Sequence, residues 1–130
     1  MALDVHVVAP DREVWTGEAS EVIARGVEGD VGILTGHAPL LIRLAIGPLH
    51  VLREDGDWLR AVVDGGFLHV STEEGTTRVD VLANDAQLQD EIDAQAATQR
   101  LDELRGRDVE DEAVQHEIAR LEARVALIAG

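Results

Sequence analysis

The sequence predicts a β + α protein: an N-terminal β-sandwich or flattened barrel over residues 1–84, then an antiparallel two-helix hairpin over 85–130. Two observations carry that reading. Ten of the 12 Gly and all three Pro fall in residues 1–84, whereas residues 85–130 hold only Gly106 and Gly130, with nine Ala. Turn formers at short intervals cut a chain into many short strands. Their absence from an Ala-rich stretch favours long helices. A length of 130 residues suits one domain or two small ones and allows a usable core.

Leu3, Val5 and Val7 alternate with Asp4 and His6, the pattern of a half-buried strand. Short apolar runs follow at 21–24, 31–34, 40–44, 49–53, 58–63, 67–71 and 79–82. Asp55-Gly56 between two of them signals a hairpin, and Glu73-Glu74-Gly75 another turn. Eight or more short strands without an intervening helix argue for a sandwich or flattened barrel and against a parallel sheet. Trp15, Trp58 and Phe67 are the only aromatic residues, so aliphatic side chains must fill the core.

In the second half, Asn84 or Asp85 is placed to cap a first helix. Leu88, Ile92, Ala96 or Ala97, Leu101 and Leu104 then recur at helical spacing. Gly106 ends this helix between Arg105 and Arg107, whose charge suits a helix C-terminus. Asp108 is expected to cap the second helix, with Glu110, Asp111 and Glu112 in its first turn. Val114, Ile118, Leu121, Val125 and Ile128 form a heptad seam. So short a seam is marginal alone and needs a partner, most simply the first helix. That helix offers mostly Ala, which buries little area at ~25 cal/mol per Å². The hairpin should therefore be weakly held and able to open toward another partner.

Acids number 26 and basic residues 11, all of them Arg, for a net charge of −15. That excess disfavours nucleic acid and direct docking on anionic lipid. Without Cys there is no disulfide, thiol catalysis or thiolate metal site. The opening residues lack a basic region and carry Asp4, so no signal peptide is expected. No apolar run approaches the ~20 residues of a membrane span. His6, His50 and His69 fall in strands and read as surface or rim residues. His116 reads as solvated. His37 lies in the loop Gly36-His37-Ala38-Pro39, where a side chain is positioned for contact. The Gly26–Gly36 run lacks a G-K-[ST] element and contains Glu28 and Asp30, so it is not a phosphate loop. No nucleophile elbow, metal-ligand spacing or cofactor loop is present; no catalytic activity, metal or cofactor is expected.

Four stretches then point one way. They are Val5-His6-Val7-Val8-Ala9-Pro10-Asp11-Arg12, the segment Gly29-Asp30-Val31-Gly32-Ile33-Leu34-Thr35-Gly36-His37-Ala38-Pro39-Leu40-Leu41, Asp64-Gly65-Gly66-Phe67-Leu68, and Val79-x-Val81-Leu82-Ala83. In this order, over about the whole chain, they resemble the epsilon subunit of bacterial F-type ATP synthase. The resemblance implies a flattened β-sandwich of about ten strands followed by a helical hairpin. It implies a non-catalytic subunit of the rotor stalk that binds the gamma subunit and the c-ring and couples proton-driven rotation to the catalytic head. It places Asp30 near the c-ring polar loops and His37 beside gamma and the ring. Glu28, Val31, Gly36 and Pro39 complete that expected partner-binding set. It also implies a location at the cytoplasmic face of the cell membrane, peripheral and held only through the complex.

In the resembled family the hairpin is a switch. Folded on the β domain it permits rotation; extended, it reaches the alpha and beta subunits and blocks ATP hydrolysis through basic residues. Arg120 and Arg124, at i and i+4, are the candidates here. The plain alternative pairs them with Glu117 and Glu122 on a solvated face. Residues 85–130 hold 12 acids and five Arg, which argues against strong inhibition. An ATP-sensing module is the alternative function. Ile92 and Asp93 match the start of the family's I/L-D-x-x-R-A nucleotide motif, but Ala96 stands where it has Arg. Ala cannot pair with phosphate, so weak or no ATP binding is expected.

Overall fold

The computed structural model describes residues 2–107 and 110–129. The strands are β1 (Leu3–Ala9), β2 (Arg12–Gly26), β3 (Gly29–Leu34), β4 (Leu40–Arg53), β5 (Trp58–Glu73), β6 (Thr76–Ala83) and β7 (Ala86–Leu88). A 3-10 turn at Gln89–Glu91 leads to helices α1 (Ala94–Arg105) and α2 (Glu112–Ala129). The strand pairing runs β1-β6-β5-β4-β2, and β1 also pairs with β2, so the sheet closes on itself; β3 extends β2, and β7 lies on β5.

The sandwich-or-barrel followed by two helices is as the sequence predicts, with fewer and longer strands. The runs 40–44 and 49–53 join as β4, and 58–63 and 67–71 join as β5. Gly47-Pro48 and Gly65-Gly66 look like breaks in the sequence, but Gly47, Pro48 and Gly66 pair across β4–β5 in one register and Gly65 lies within the same strand. The Gly pair bends the strand instead of ending it: Gly66 has φ +123°, and a Cβ there would stand 2.1 Å from the Leu82 carbonyl oxygen. Only a residue without a side chain allows β6 so close. The two predicted turns are present. Glu74 (φ 52°) and Gly75 (φ 81°) join β5 to β6 in the left-handed conformation that a two-residue hairpin needs.

One strand pair departs from the expected antiparallel order: β1 and β6 run parallel, Val5 opposite Val79. They meet by closure of the barrel, not through a helical crossover, so the absence of an early helix did not forbid the pair. Alternation fills the interior. Leu3, Val5 and Val7, then Val22, Ile33, Leu49, Val51, Val63, Leu68, Val70, Val79 and Val81 are all almost fully buried in one aliphatic core.

The first helix starts later than predicted. Residues 86–88 pair with Ala61–Val63 of β5, and the Asp64 amide donates to the Asp85 carbonyl at 2.8 Å. These tertiary hydrogen bonds overrule the helical spacing of Leu88 and Ile92. Neither Asn84 nor Asp85 caps a helix; Asp93 does, accepting from the Ala96 amide at 3.0 Å. α1 ends at Arg105, with Gly106 following at an ordinary φ of −87°. The expected cap Asp108 lies outside the described residues. Asp111 serves at the start of α2, its Oδ1 accepting from the Ala113 amide at 2.9 Å.

The heptad seam packs on α1. Ala97, Leu101 and Leu104 bury with Leu121, flanked by Val114, Ile118 and Val125, while Ile128 stays exposed. This apolar cluster is separate from the barrel core, which includes no residue of either helix among those described. α2 lies against β4 and β5, and α1 sits on its outer side.

Candidate functional site

The partner-binding residues expected from sequence occupy the two ends of β3, not one loop. Glu28, Asp30 and Val31 belong to the β2–β3 turn and the start of β3; they line a depression of 370 Å³ with Leu41, Ile42 and Arg43. Gly36, His37 and Pro39 form the loop beyond its other end. Six residues at about 3.3 Å each separate the groups by roughly 20 Å. Asp30 is exposed and lies opposite Arg25, whose Nε donates to its Oδ1 at 3.0 Å. That hydrogen bond holds the Asp30 carboxyl below its ordinary pKa. A basic partner at Asp30 must therefore compete with Arg25. The His37 loop is anchored from within: the Gly36 amide donates to the buried Thr77 hydroxyl at 2.9 Å, and the His37 amide to the Leu34 carbonyl at 3.1 Å.

Arg120 and Arg124 do not pair with Glu117 and Glu122. Those acids bind across the hairpin instead, Glu117 to Arg100 at 3.0 Å and Glu122 to Arg105 at 3.3 Å. The Arg100 hydrogen bond holds Glu117 below its ordinary pKa. Arg120 and Arg124 turn toward the barrel. Asp64 on β5, its side chain only 13% exposed, takes Arg120 at 3.6 Å and His116 at 3.0 Å. Asp85 takes Arg124 at 3.9 Å. His116, expected to be solvated, is thus a third contact. The three residues recur at i, i+4 and i+8, which puts them on one face of α2. The helical arm is folded on the barrel through this charged seam.

A second contact fixes the linker. The Arg12 guanidinium makes two bonds of 2.8 Å to the Glu91 carboxylate and a third of 3.1 Å to the Ala86 carbonyl. Glu91 also accepts from the Leu88 amide at 2.9 Å. Together, Arg12 first, they lower its pKa from 4.5 to about 2. Just beyond, Ile92 and Asp93 border a small hollow of 230 Å³ that Ala96, Ala97, Leu121 and Arg124 also line. The Asp93 carboxylate is engaged there in capping α1.

Known proteins decide what the combination is. A family model for the ATP synthase delta/epsilon chain β-sandwich domain matches residues 2–89. The chain is 48% identical over 106 residues to the ATP synthase epsilon chain of Synechococcus elongatus, covering 79% of this chain and 74% of that one. It is 44% identical over 104 residues to the epsilon chain of Streptomyces avermitilis, covering 78% and 81%. The chain belongs to the ATP synthase epsilon-chain family. The likeness extends to the complete fold of this family member. A chain of the Euglena gracilis mitochondrial ATP synthase, solved by cryo-EM as an OSCP, F1 and c-ring assembly, superposes with a TM-score of 0.80 at 30% identity, covering 98% of this chain and 81% of that chain. A Tetrahymena thermophila chain at 19% identity and TM-score 0.54 shares the fold.

Sequence reading missed Asp64, Asp85 and the Arg12–Glu91 clamp. Each contact joins residues far apart in the chain, 52 for Asp64 with His116 and 79 for Arg12 with Glu91. Local patterns carry no register between such positions. The one available signal was the stripe of His116, Arg120 and Arg124, a basic face in an acidic half.

Proposed function

We propose that this epsilon-chain family member is a non-catalytic rotor element of the central stalk, with a partner-binding barrel and a releasable helical arm. The observation that carries the reading is the nature of the seam. The hairpin closes its apolar cluster on itself and meets the barrel through Asp64, Asp85, His116, Arg120 and Arg124. Lifting the arm therefore exposes little apolar surface and frees Arg120 and Arg124 for the acidic parts of alpha and beta subunits.

The barrel offers a surface for the gamma subunit. Leu41, Phe67 and Leu82 are 66%, 46% and 49% exposed. Phe67 lies opposite Leu82 in the β5–β6 register and opposite Arg43 in β4–β5. An exposed apolar patch across neighbouring strands is the kind of surface that partners cover. Glu28, Asp30 and Val31 are the c-ring candidates, with Asp30 exchanging Arg25 for a basic ring loop. His37 and its loop are candidates for the gamma side. Among the described residues no helix is long and apolar enough to cross a membrane. The proposed location is peripheral, at the cytoplasmic face of the cell membrane, through the complex.

The test is ATP hydrolysis by a cognate catalytic head lacking this subunit, reconstituted with the full chain or with Asp64→Asn/Asp85→Asn. The variant should bind gamma equally and slow hydrolysis more, because its arm is released more often. Equal hydrolysis at equal binding would remove the arm as a regulator. No binding by either would end the rotor reading. The ATP-sensing alternative has one supporting observation, the hollow where Ile92 and Asp93 face Arg124. Ala96 supplies no guanidinium there, and calorimetry is expected to show no micromolar ATP binding.

A further inference from the structure

A different cleft has the chemistry of an anion site. It measures 460 Å³ and lies between the barrel and the last turns of α2. Arg25, His50 and Arg60 line its barrel side, with Gln89 at the linker; Ile46 and Pro48 on β4 and Ala126 and Leu127 on α2 supply apolar walls. Among the described residues no carboxylate lines it. In a chain with 26 acids and 11 Arg that absence is selective.

The cations are held in place. Arg60 Nη1 donates to His50 Nδ1 at 2.7 Å, and its guanidinium stacks 5.2 Å from the Trp58 ring centre. Arg has only donors, so His50 must accept through Nδ1 and is neutral there. Burial first, then the charges of Arg60 and Arg25, push the His50 pKa down. Among the described residues no carboxylate pairs with Arg60, although nearly every other Arg has one. Arg25 has Asp30 on its Nε, which leaves its terminal amino groups for a ligand. Its stem lies across Gly47, where a Cβ would come within 3.0 Å of Arg25 Cδ. Side chains held this way bind an anion with little further ordering cost. The carbonyl end of α2 is partially negative. A ligand must therefore turn its charge to the barrel and its apolar body to Ala126 and Leu127.

The geometry points to a binding site for a small organic phosphate in this cleft, its phosphoryl group on Arg60 and Arg25 and its apolar body against the end of α2. Because the walls belong to both the barrel and the arm, the ligand binds the folded state and holds the arm down by linkage. The site is separate from the hollow at Ile92 and Asp93.

The test uses the full chain, so it does not depend on the rotor reading or on any partner. Phenyl phosphate, inorganic phosphate and benzoate are titrated by calorimetry and by NMR. Phenyl phosphate should bind saturably and shift His50, Gln89 and Leu127. Inorganic phosphate lacks the apolar body and benzoate the second charge, and each should bind at least about tenfold more weakly. Arg60→Gln should weaken phenyl phosphate by about tenfold or more, the loss of one charge-assisted bond. Ala126→Glu, at an exposed position and with a residue that helices tolerate, brings a competing carboxylate to the cleft and should weaken it similarly. Four results would overturn the site: no saturable binding, unchanged affinity in the folded Ala126→Glu chain, shifts confined to Ile92, Asp93 and Ala96, or benzoate as tight as phenyl phosphate.

Discussion

Asp64→Asn isolates the seam between arm and barrel. The substitution keeps the shape of the side chain and one acceptor oxygen, and the Asp64 backbone stays in β5. It removes the charge that faces Arg120 at 3.6 Å and His116 at 3.0 Å. Asp64 is 13% exposed, Arg120 30% and His116 54%, so the contact is neither open to water nor closed from it. Exposed pairs contribute 0–1 kcal/mol and bonds to charged groups about 1.5–3 kcal/mol. A loss of about 1.4 kcal/mol is the expected middle, a tenfold fall in the ratio of docked to released arm. Trypsin reads that ratio cleanly. The chain has no Lys, so it cuts only at Arg, and α2 carries two sites, Arg120 and Arg124. Off the barrel, Arg120 and Arg124 lose the contacts that shield them, and cleavage then tracks the released population. Cutting at Arg120 and Arg124 should accelerate about tenfold, while barrel melting stays fixed, since its core includes nothing from α2. Unchanged cutting, or a barrel that melts earlier in step with it, would refute the separation of seam from core.

Other outcomes follow from the same structure. Glu91 has its folded pKa lowered from 4.5 to about 2, so its stabilisation is present above the unfolded value and lost as pH falls through the folded one. Protection of the Leu88 amide relative to its intrinsic exchange rate should therefore fall between pH 4.5 and about 2, and Glu91→Gln should flatten that part of the profile. Leu49→Ala opens a hole in the barrel core and should cost 2–5 kcal/mol of barrel stability by denaturant unfolding; Leu104→Ala should loosen the hairpin and spare the barrel. Gly66→Ala drives a Cβ to 2.1 Å from the Leu82 carbonyl oxygen and should cost at least about 3 kcal/mol, visible as loss of folded yield. Phe67→Glu, at an exposed position, should change stability by less than about 0.5 kcal/mol while weakening gamma binding in a pull-down.

Strand alternation made β1 and β6 legible because each has one buried face: Leu3, Val5, Val7 and Ala9 in one, Thr77, Val79, Val81 and Ala83 in the other. The same logic found the α2 seam. Its failures have physical causes. Gly65-Gly66 reads as a turn in any local scheme, and only the proximity of β6 shows that it is a bend. Residues 86–88 suit helix or strand equally; the free edge of β5 decided. The loop motif containing Asp30 and His37 is contiguous in sequence, yet an extended strand carries its ends apart. Asp64 drew attention only as part of a glycine motif, because a carboxylate without its partners looks like any other in an acid-rich chain.

The energetics place the weak point of the arm where the sequence did not. Abundant Ala on α1 implied that the two helices hold each other loosely. Instead Leu101, Leu104 and Leu121 bury between them, and Arg100 and Arg105 add ion pairs across the same interface. The barrel contact has ion pairs at 3.0 to 3.9 Å and lacks a shared apolar cluster. Apolar burial of three Leu side chains outweighs partly solvated pairs by several kcal/mol. In the proposed release the seam is then expected to open before the hairpin does, with α1 and α2 leaving the barrel as one body. Its pivot is the stretch between Glu91, clamped by Arg12, and Asp93, which caps α1. Ile92 is the residue left to turn. Ile92→Pro, with its φ fixed, is expected to alter the release rate in the trypsin assay without moving the barrel melt. An unchanged rate would place the pivot elsewhere.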